Sequence, residues 1–207
     1  MTKKEFKFLL RDKFINSKNI KKLKTDKISL ICNNCVGGAI LHDLHMRFNT
    51  PTINTWIPDE DFFKLVGDLN YYQNQSLVYI PQRSDRYVVA KLGDIFIHFM
   101  HETDFNKAKE DWERRFLRLN EDNIYVMYIA NTEASIKGIQ FIDSLNCNKI
   151  VLSYLPHDEI ESCHYIRGFE QPTVKNLISY KSALSIYRGY DSFDYVQWIN
   201  QGVKNER

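Results

Sequence analysis

Short apolar runs alternate along this chain with stretches in which apolar positions recur every three or four residues. Ile28–Cys32, Ile124–Ile129 and Lys149–Leu155 read as buried strands, the last stopped by Pro156. Leu77–Ile80 reads as a strand stopped by Pro81, and Thr52–Ile57 alternates as a further strand would. Tyr87–Leu92 and Ile95–Met100 form a hairpin about Gly93-Asp94. Helical spacing covers Ala39–Phe48, a segment from Pro58 through Leu69, Phe105–Leu119, Ala134–Leu145, Val174–Tyr187 and Phe193–Ile199. Pro58 suits a first helical position, and Asp59, Glu60 and Asp61 suit the positive end of that helix. Asp104 is placed to cap Phe105–Leu119, whose apolar side carries Trp112, Phe116 and Leu119.

Strands alternating with helices of this length predict an α/β protein. The expected architecture is a three-layer α/β/α sandwich on a mixed, mostly parallel sheet containing one antiparallel hairpin. At 207 residues, with no internal repeat and no linker, residues 28–207 are expected to form a single α/β domain, preceded by a basic amphipathic helix within residues 1–27. Thirteen Phe, twelve Tyr and three Trp are enough aromatic residues for a substantial core. No apolar run is long enough to span a bilayer, and no signal-like segment opens the chain, so a cytoplasmic protein is expected.

Charge divides the chain unevenly. The whole carries +2, but residues 1–27 hold ten Lys and Arg against three Asp and Glu, a net of +7 that leaves the rest at −5. A basic head on a mildly acidic body is not the surface of a nucleic-acid binder, and no nucleic-acid partner is expected. Phe6, Leu9, Leu10 and Phe14 fall at helical spacing among Lys3, Lys7, Arg11 and Lys13. Such a helix either rests on an anionic membrane surface, at the inner face of the membrane, or packs on the body with its lysines in water.

Four cysteines, Cys32, Cys35, Cys147 and Cys163, are too few for a disulfide scaffold and fit a reducing compartment. Cys32-x-x-Cys35 is followed by His42 and His45, but the interval is shorter than in zinc fingers, and Cys32 ends a buried run. A thioredoxin-like dithiol fits no better, since Gly37-Gly38 interrupts the expected helix start. Neither a metal nor a cofactor is expected.

In α/β sheets ligands sit beyond the carboxyl ends of the strands. The turn Asn33-Asn34-Cys35-Val36-Gly37-Gly38 leads there: Asn33, Asn34 and the Gly37 and Gly38 amides are candidate holders of a phosphate or oxyanion. Cys35, near a helix start that favours a thiolate, is the candidate nucleophile. The same turn also reads as a tight connection whose Asn side chains satisfy its own backbone. His98 and His101 are candidate bases, although in an ideal strand they point to opposite faces and isolated histidines are often structural. Trp112, Arg114 and Arg115, with Asp122 and Asn123, form a third group that would stack on a sugar and neutralise an anion, or equally a core residue, a solvated helix face and a tethering loop. No G-x-S-x-G, H-E-x-x-H or Walker loop is present, and Asp59-Glu60-Asp61 begins a helix where a sugar-nucleotide transferase would end a strand.

Ser29–Gly38, Arg47-Phe48-Asn49-Thr50-Pro51-Thr52, Gly93–His101 and Ala108–Asn123 together resemble a bacterial family, the domain-of-unknown-function family number nineteen-nineteen, associated with exopolysaccharide and capsular polysaccharide biosynthesis. The likeness spans Ile28 to Leu155. The chain departs from it at Val36, where the family usually has an aromatic residue, and at Glu102, where it has Tyr. The resemblance implies an α/β sandwich and a role in surface-glycan synthesis. The expected function is a transferase or modifying enzyme acting on a sugar nucleotide or lipid-linked saccharide, with Cys35, His98 and His101 as catalytic candidates. The alternative is a non-catalytic accessory protein that binds a glycan or an assembly partner.

Overall fold

The structure is a computed structural model that describes residues 2–130, 136–167 and 177–202. The chain opens with α1 (Lys3–Arg11), started by a capping box in which Thr2 and Glu5 satisfy one another's backbone N–H groups. A π-helical turn, Asp12–Asn16, follows, and then α2 (Ser17–Ile20). Next come β1 (Ser29–Cys32), α3 (Cys35–Asp43), α4 (Asp59–Gly67) and α5 (Leu69–Gln73). After these lie β2 (Leu77–Tyr79), β3 (Val88–Leu92), β4 (Ile95–Phe99) and α6 (Phe105–Phe116). The remainder is β5 (Ile124–Ala130), α7 (Ile136–Ser144), β6 (Asn148–Ser153), β7 (Cys163–Tyr165) and α8 (Tyr195–Gln201).

The fold is α/β. β1, β5, β6 and β7 form an all-parallel sheet in the order β1-β5-β6-β7. Alternation along β5 assigns its side chains to two cores. Val126, Tyr128 and Ala130 join α4, α6 and α7, while Tyr125, Met127 and Ile129 join α3 and α8. The β3–β4 hairpin turns at Gly93, whose φ of 59° lies in the left-handed region. It does not enter the parallel sheet: with β2 it makes a separate antiparallel sheet of three strands on the α4–α6 side. The mixed sheet expected from the sequence is therefore two sheets, one parallel and one antiparallel.

Two expected elements differ. Thr52–Ile57 is not a strand. The Cys32 N–H donates to Thr52 Oγ1 at 3.1 Å, so a hydroxyl occupies the place a strand would take, and the segment pairs only at Trp56, bridged to His98. Of Val174–Tyr187, residues 174–176 lie outside the described part. Residues 179–188 form a loop whose stem is closed by Lys181 N–H to Tyr187 O and Gly189 N–H to Ser179 O. The α3 helix begins earlier than predicted because Asn34 caps it, its side chain accepting the Val36 N–H at 3.0 Å. Gly37 and Gly38 are consequently helical, and Gly37 lets the helix close on β1, where a Cβ would lie 2.6 Å from Cys32 Cβ.

The first helix is fixed to the body by a buried ion network. The Arg11 guanidinium, 0% exposed, donates to Asp43 on α3 and to Asp191, and its Nη1 also reaches Ile186 O. Among the described residues no helix is long and apolar enough to cross a membrane.

Candidate functional site

A hollow of about 500 Å³ opens beyond the carboxyl end of β1, lined by Asn34, Cys35, Trp56, Met100, His101, Ile178 and Ser179. Its lining is mostly apolar. The geometry starts with Asn33, whose side chain prolongs the β1–β5 ladder past Cys32. Its Nδ2 donates to Ile129 O at 3.1 Å, and its Oδ1 accepts the Ile129 N–H at 3.0 Å. The Asn33 carbonyl accepts the Ile57 N–H, drawing the Thr55–Ile57 segment to the same edge. Trp56 and His98 then exchange backbone hydrogen bonds of 2.8 and 2.9 Å, so the end of β4 is delivered there too. The turn after β4 places His101 Nε2 3.7 Å from Cys35 Sγ, the first residue of α3.

Cys35 is half-buried and free of any disulfide, with Thr55 O 3.7 Å from its sulfur. Burial pushes its thiol up from the ordinary value, against a smaller opposing pull from its own backbone N–H. The lowered thiol expected from a helix start is therefore corrected: removal from water outweighs the helix end. His101, exposed in the turn, is the imidazole within reach.

His98 is placed differently. It is buried between the rings of Trp56 (centroids 4.5 Å apart) and Tyr87, and its Nδ1 finds no hydrogen-bond partner among the described residues. Burial and then the Arg83 charge lower its affinity for a proton, with Asp61 opposing, so the ring is neutral near pH 7. It does not line the hollow.

The remaining candidates divide into internal and remote groups. The Asn33 side chain is committed to the backbone of β5 and to the Asn34 amide. Asn34 lines the hollow but spends its carbonyl on the α3 cap and its amide on Asn33. Gly37 and Gly38 are buried within α3, and the Gly37 N–H points at the buried Cys32 sulfur. These amides do not form the anion cradle expected of an open turn.

Trp112 is a core residue, 2% exposed and packed edge-on against Phe99 and Phe116. Arg114 and Arg115 both bind Asp111 along the end of α6. Asp122 is exposed, and Asn123 Nδ2 donates to Lys27 O before β1 begins. The cause of this separation is topological. β1 and β5 are parallel, so the α6 tail and the loop before β5 lie at the opposite end of the sheet from Cys35.

Cys32, Cys35, His42 and His45 do not gather either: Cys32 lies under α3, while the histidines lie near its far end. A second hollow, of about 630 Å³, lies beside the amino end of β6 and contains none of the sequence candidates. Trp56, Met100, Ile178 and Ser179 are the lining residues the sequence did not single out. The one usable signal was the His-x-x-His spacing, because a turn after His98 is what lets His101 swing to Cys35.

The model of a family described as "Domain of unknown function (DUF1919)" matches residues 6–200. The chain belongs to that family. The match starts inside α1 and runs into α8, so it takes in the first helix as well as both sheets. A relative from Haemophilus influenzae, described as an uncharacterized protein, is 36% identical over 188 residues, covering 90% of this chain and 91% of its own length.

Proposed function

We propose that this chain is a group-transfer enzyme modifying a surface-polysaccharide precursor, with Cys35 as nucleophile and His101 as its base. The observation that carries the reading is the 3.7 Å approach of Cys35 Sγ to His101 Nε2 at the mouth of a hollow beyond a parallel strand. Because Trp56, Met100 and Ile178 make the lining apolar and no Lys or Arg is among the described residues that form it, an acyl-type group suits it better than a nucleotide diphosphate.

In that reaction His101 Nε2 takes the thiol proton as Cys35 Sγ bonds to the acyl carbonyl carbon. The donor's leaving group departs with the proton returned from His101. A saccharide hydroxyl then attacks the thioester, giving its proton to His101, which passes it to the departing Cys35 sulfur and so restores the thiol and the neutral imidazole that started the cycle. The Cys35 N–H already bears on its own sulfur. The Val36 and Gly37 N–H groups are already taken by Asn34 and Cys32.

The test is incubation with acyl thioesters and a saccharide acceptor, followed by intact-mass measurement. An acyl adduct on Cys35 that passes to the acceptor, absent in Cys35→Ser and slowed in His101→Asn, supports the reading. A folded Cys35→Ser variant with unchanged transfer overturns it. The second reading, glycan recognition without chemistry, draws on Trp56, 37% exposed at the rim and able to stack on a sugar ring. Stabilisation by oligosaccharide alone, with no thiol adduct, favours that reading.

A further inference from the structure

A surface helix ordinarily turns its apolar stripe inward and its charges to water. The first helix of this protein and the π-helical turn that continues it depart from this pattern. Phe6, Leu9 and Phe14 are 49%, 55% and 54% exposed, whereas Arg11 is completely buried in its network with Asp43 and Asp191. The side of α1 that meets the body carries Phe8, its ring 5.8 Å from that of His42, besides Arg11. Lys3 and Lys13 are exposed along with the outward phenylalanines and leucine.

The 179–188 loop lies beside this helix. It is tied to the helix by Lys7 Nζ, 3.0 Å from Ser182 O, and by Arg11 Nη1, 3.0 Å from Ile186 O. Leu184, at its tip, is 96% exposed. Apolar side chains therefore project from two linked elements; the first lies in a segment of net charge +7, the buried Arg11 included, and the loop belongs to the remainder, of net charge −5.

We propose that this face docks peripherally on an anionic lipid bilayer. The outward phenylalanines and leucines would enter the boundary between headgroups and acyl chains, and the lysines would meet the lipid phosphates. Charge selects lipid over protein as the occupant: the excess is of one sign, as an anionic leaflet requires. Shape agrees, because a projecting leucine tip is suited to inserting into a fluid interface. The inference is independent of the chemistry at Cys35.

The test uses the full chain and co-sedimentation with vesicles of phosphatidylcholine alone or mixed with phosphatidylglycerol. The expected result is binding to the mixed vesicles, little to phosphatidylcholine, and release by added salt. A Phe6→Ser/Leu9→Ser/Leu184→Ser variant and a Lys3→Glu/Lys13→Glu variant should each lower the bound fraction roughly tenfold or more, with thermal unfolding unchanged. Absence of wild-type binding to the mixed vesicles, or equal binding by the folded variants, overturns the proposal. So does a homodimer, seen by light scattering, that the apolar variant dissociates while neither protein binds vesicles.

Discussion

Arg11 Nε lies 2.6 Å from Asp43 Oδ2, and neither side chain reaches solvent. Burial alone would raise the Asp43 carboxyl, but hydrogen bonds from Tyr190 and Arg11, and the charges of Arg11 and Arg188, hold it below the ordinary carboxylate range. Burial, the largest single effect on Arg11, works against its charge, but Asp191 foremost, then Tyr190 and Asp43, together raise it further above its already high value. The pair joins the first helix to α3, and Asp191 closes the network from the far end of the chain.

Removing one partner unbalances the buried charges that remain. Arg11→Met is expected to cost about 3–5 kcal/mol of stability in urea unfolding, and Asp43→Asn a similar amount. The double variant should lose less than the sum of the two, because the second substitution removes the charge that the first exposed.

The depressed carboxyl also sets a pH dependence. Since Asp43 binds a proton less readily when folded, its contribution is present above about pH 4, the unfolded range, and is lost as pH falls through the lower folded value. Stability measured against pH should fall on the acid side in the wild type and fall less steeply in Asp43→Asn.

Adjacent glycines of α3 should answer alanine in opposite ways. At Gly37 the added methyl meets Cys32 Cβ at 2.6 Å, so Gly37→Ala is expected to destabilise by roughly 1–3 kcal/mol through overpacking. At Gly38 the nearest atom is Ile53 Cδ1 at 3.6 Å, ordinary contact, and Gly38→Ala should gain about 0.5–1 kcal/mol from helix propensity. Paired denaturation curves read both signs.

The cysteines should differ in alkylation rate. Cys32 is fully buried, with its thiol pushed up to about 12 by that burial, so iodoacetamide should reach it only on unfolding. Cys35 should label in the native protein, slowly near pH 7 and faster as pH rises through its elevated value. His101→Asn should slow the labelling at neutral pH if the imidazole assists ionisation. Peptide mapping by mass spectrometry separates the two thiols.

Asn33→Ala removes both bonds to the Ile129 backbone, and a loss of about 1–3 kcal/mol is expected from leaving that N–H and C=O unsatisfied. The variant should also loosen the Thr55–Ile57 segment, read as faster amide exchange at Ile57.

What the sequence made legible was local. The buried runs of β1, β5 and β6, the β3–β4 hairpin and the Asp104-capped α6 follow from period and capping chemistry within a few residues. What it hid depends on partners far along the chain. Arg11 meets Asp43 32 positions away and Asp191 180 away, so the apolar stripe of α1 was visible but the direction it faces was not. Cys35 and His101 are 66 residues apart, and their meeting rests on the Trp56–His98 bridge, which no periodicity reveals. Arg114 and Arg115 lie apart from Cys35 because β1 and β5 run parallel, which puts the tail of α6 and the end of β1 at opposite ends of one layer.

The π-helical turn at Asp12–Asn16 gives the opening helix a setting like that of a dial. Such a turn amounts to one inserted residue, and one residue is worth about 100° of rotation. Shortening the stretch by a single position would swing either Arg11 out of its ion network or Phe6 and Leu9 round toward the body. Length, with composition almost untouched, would then decide which side of the molecule is greasy.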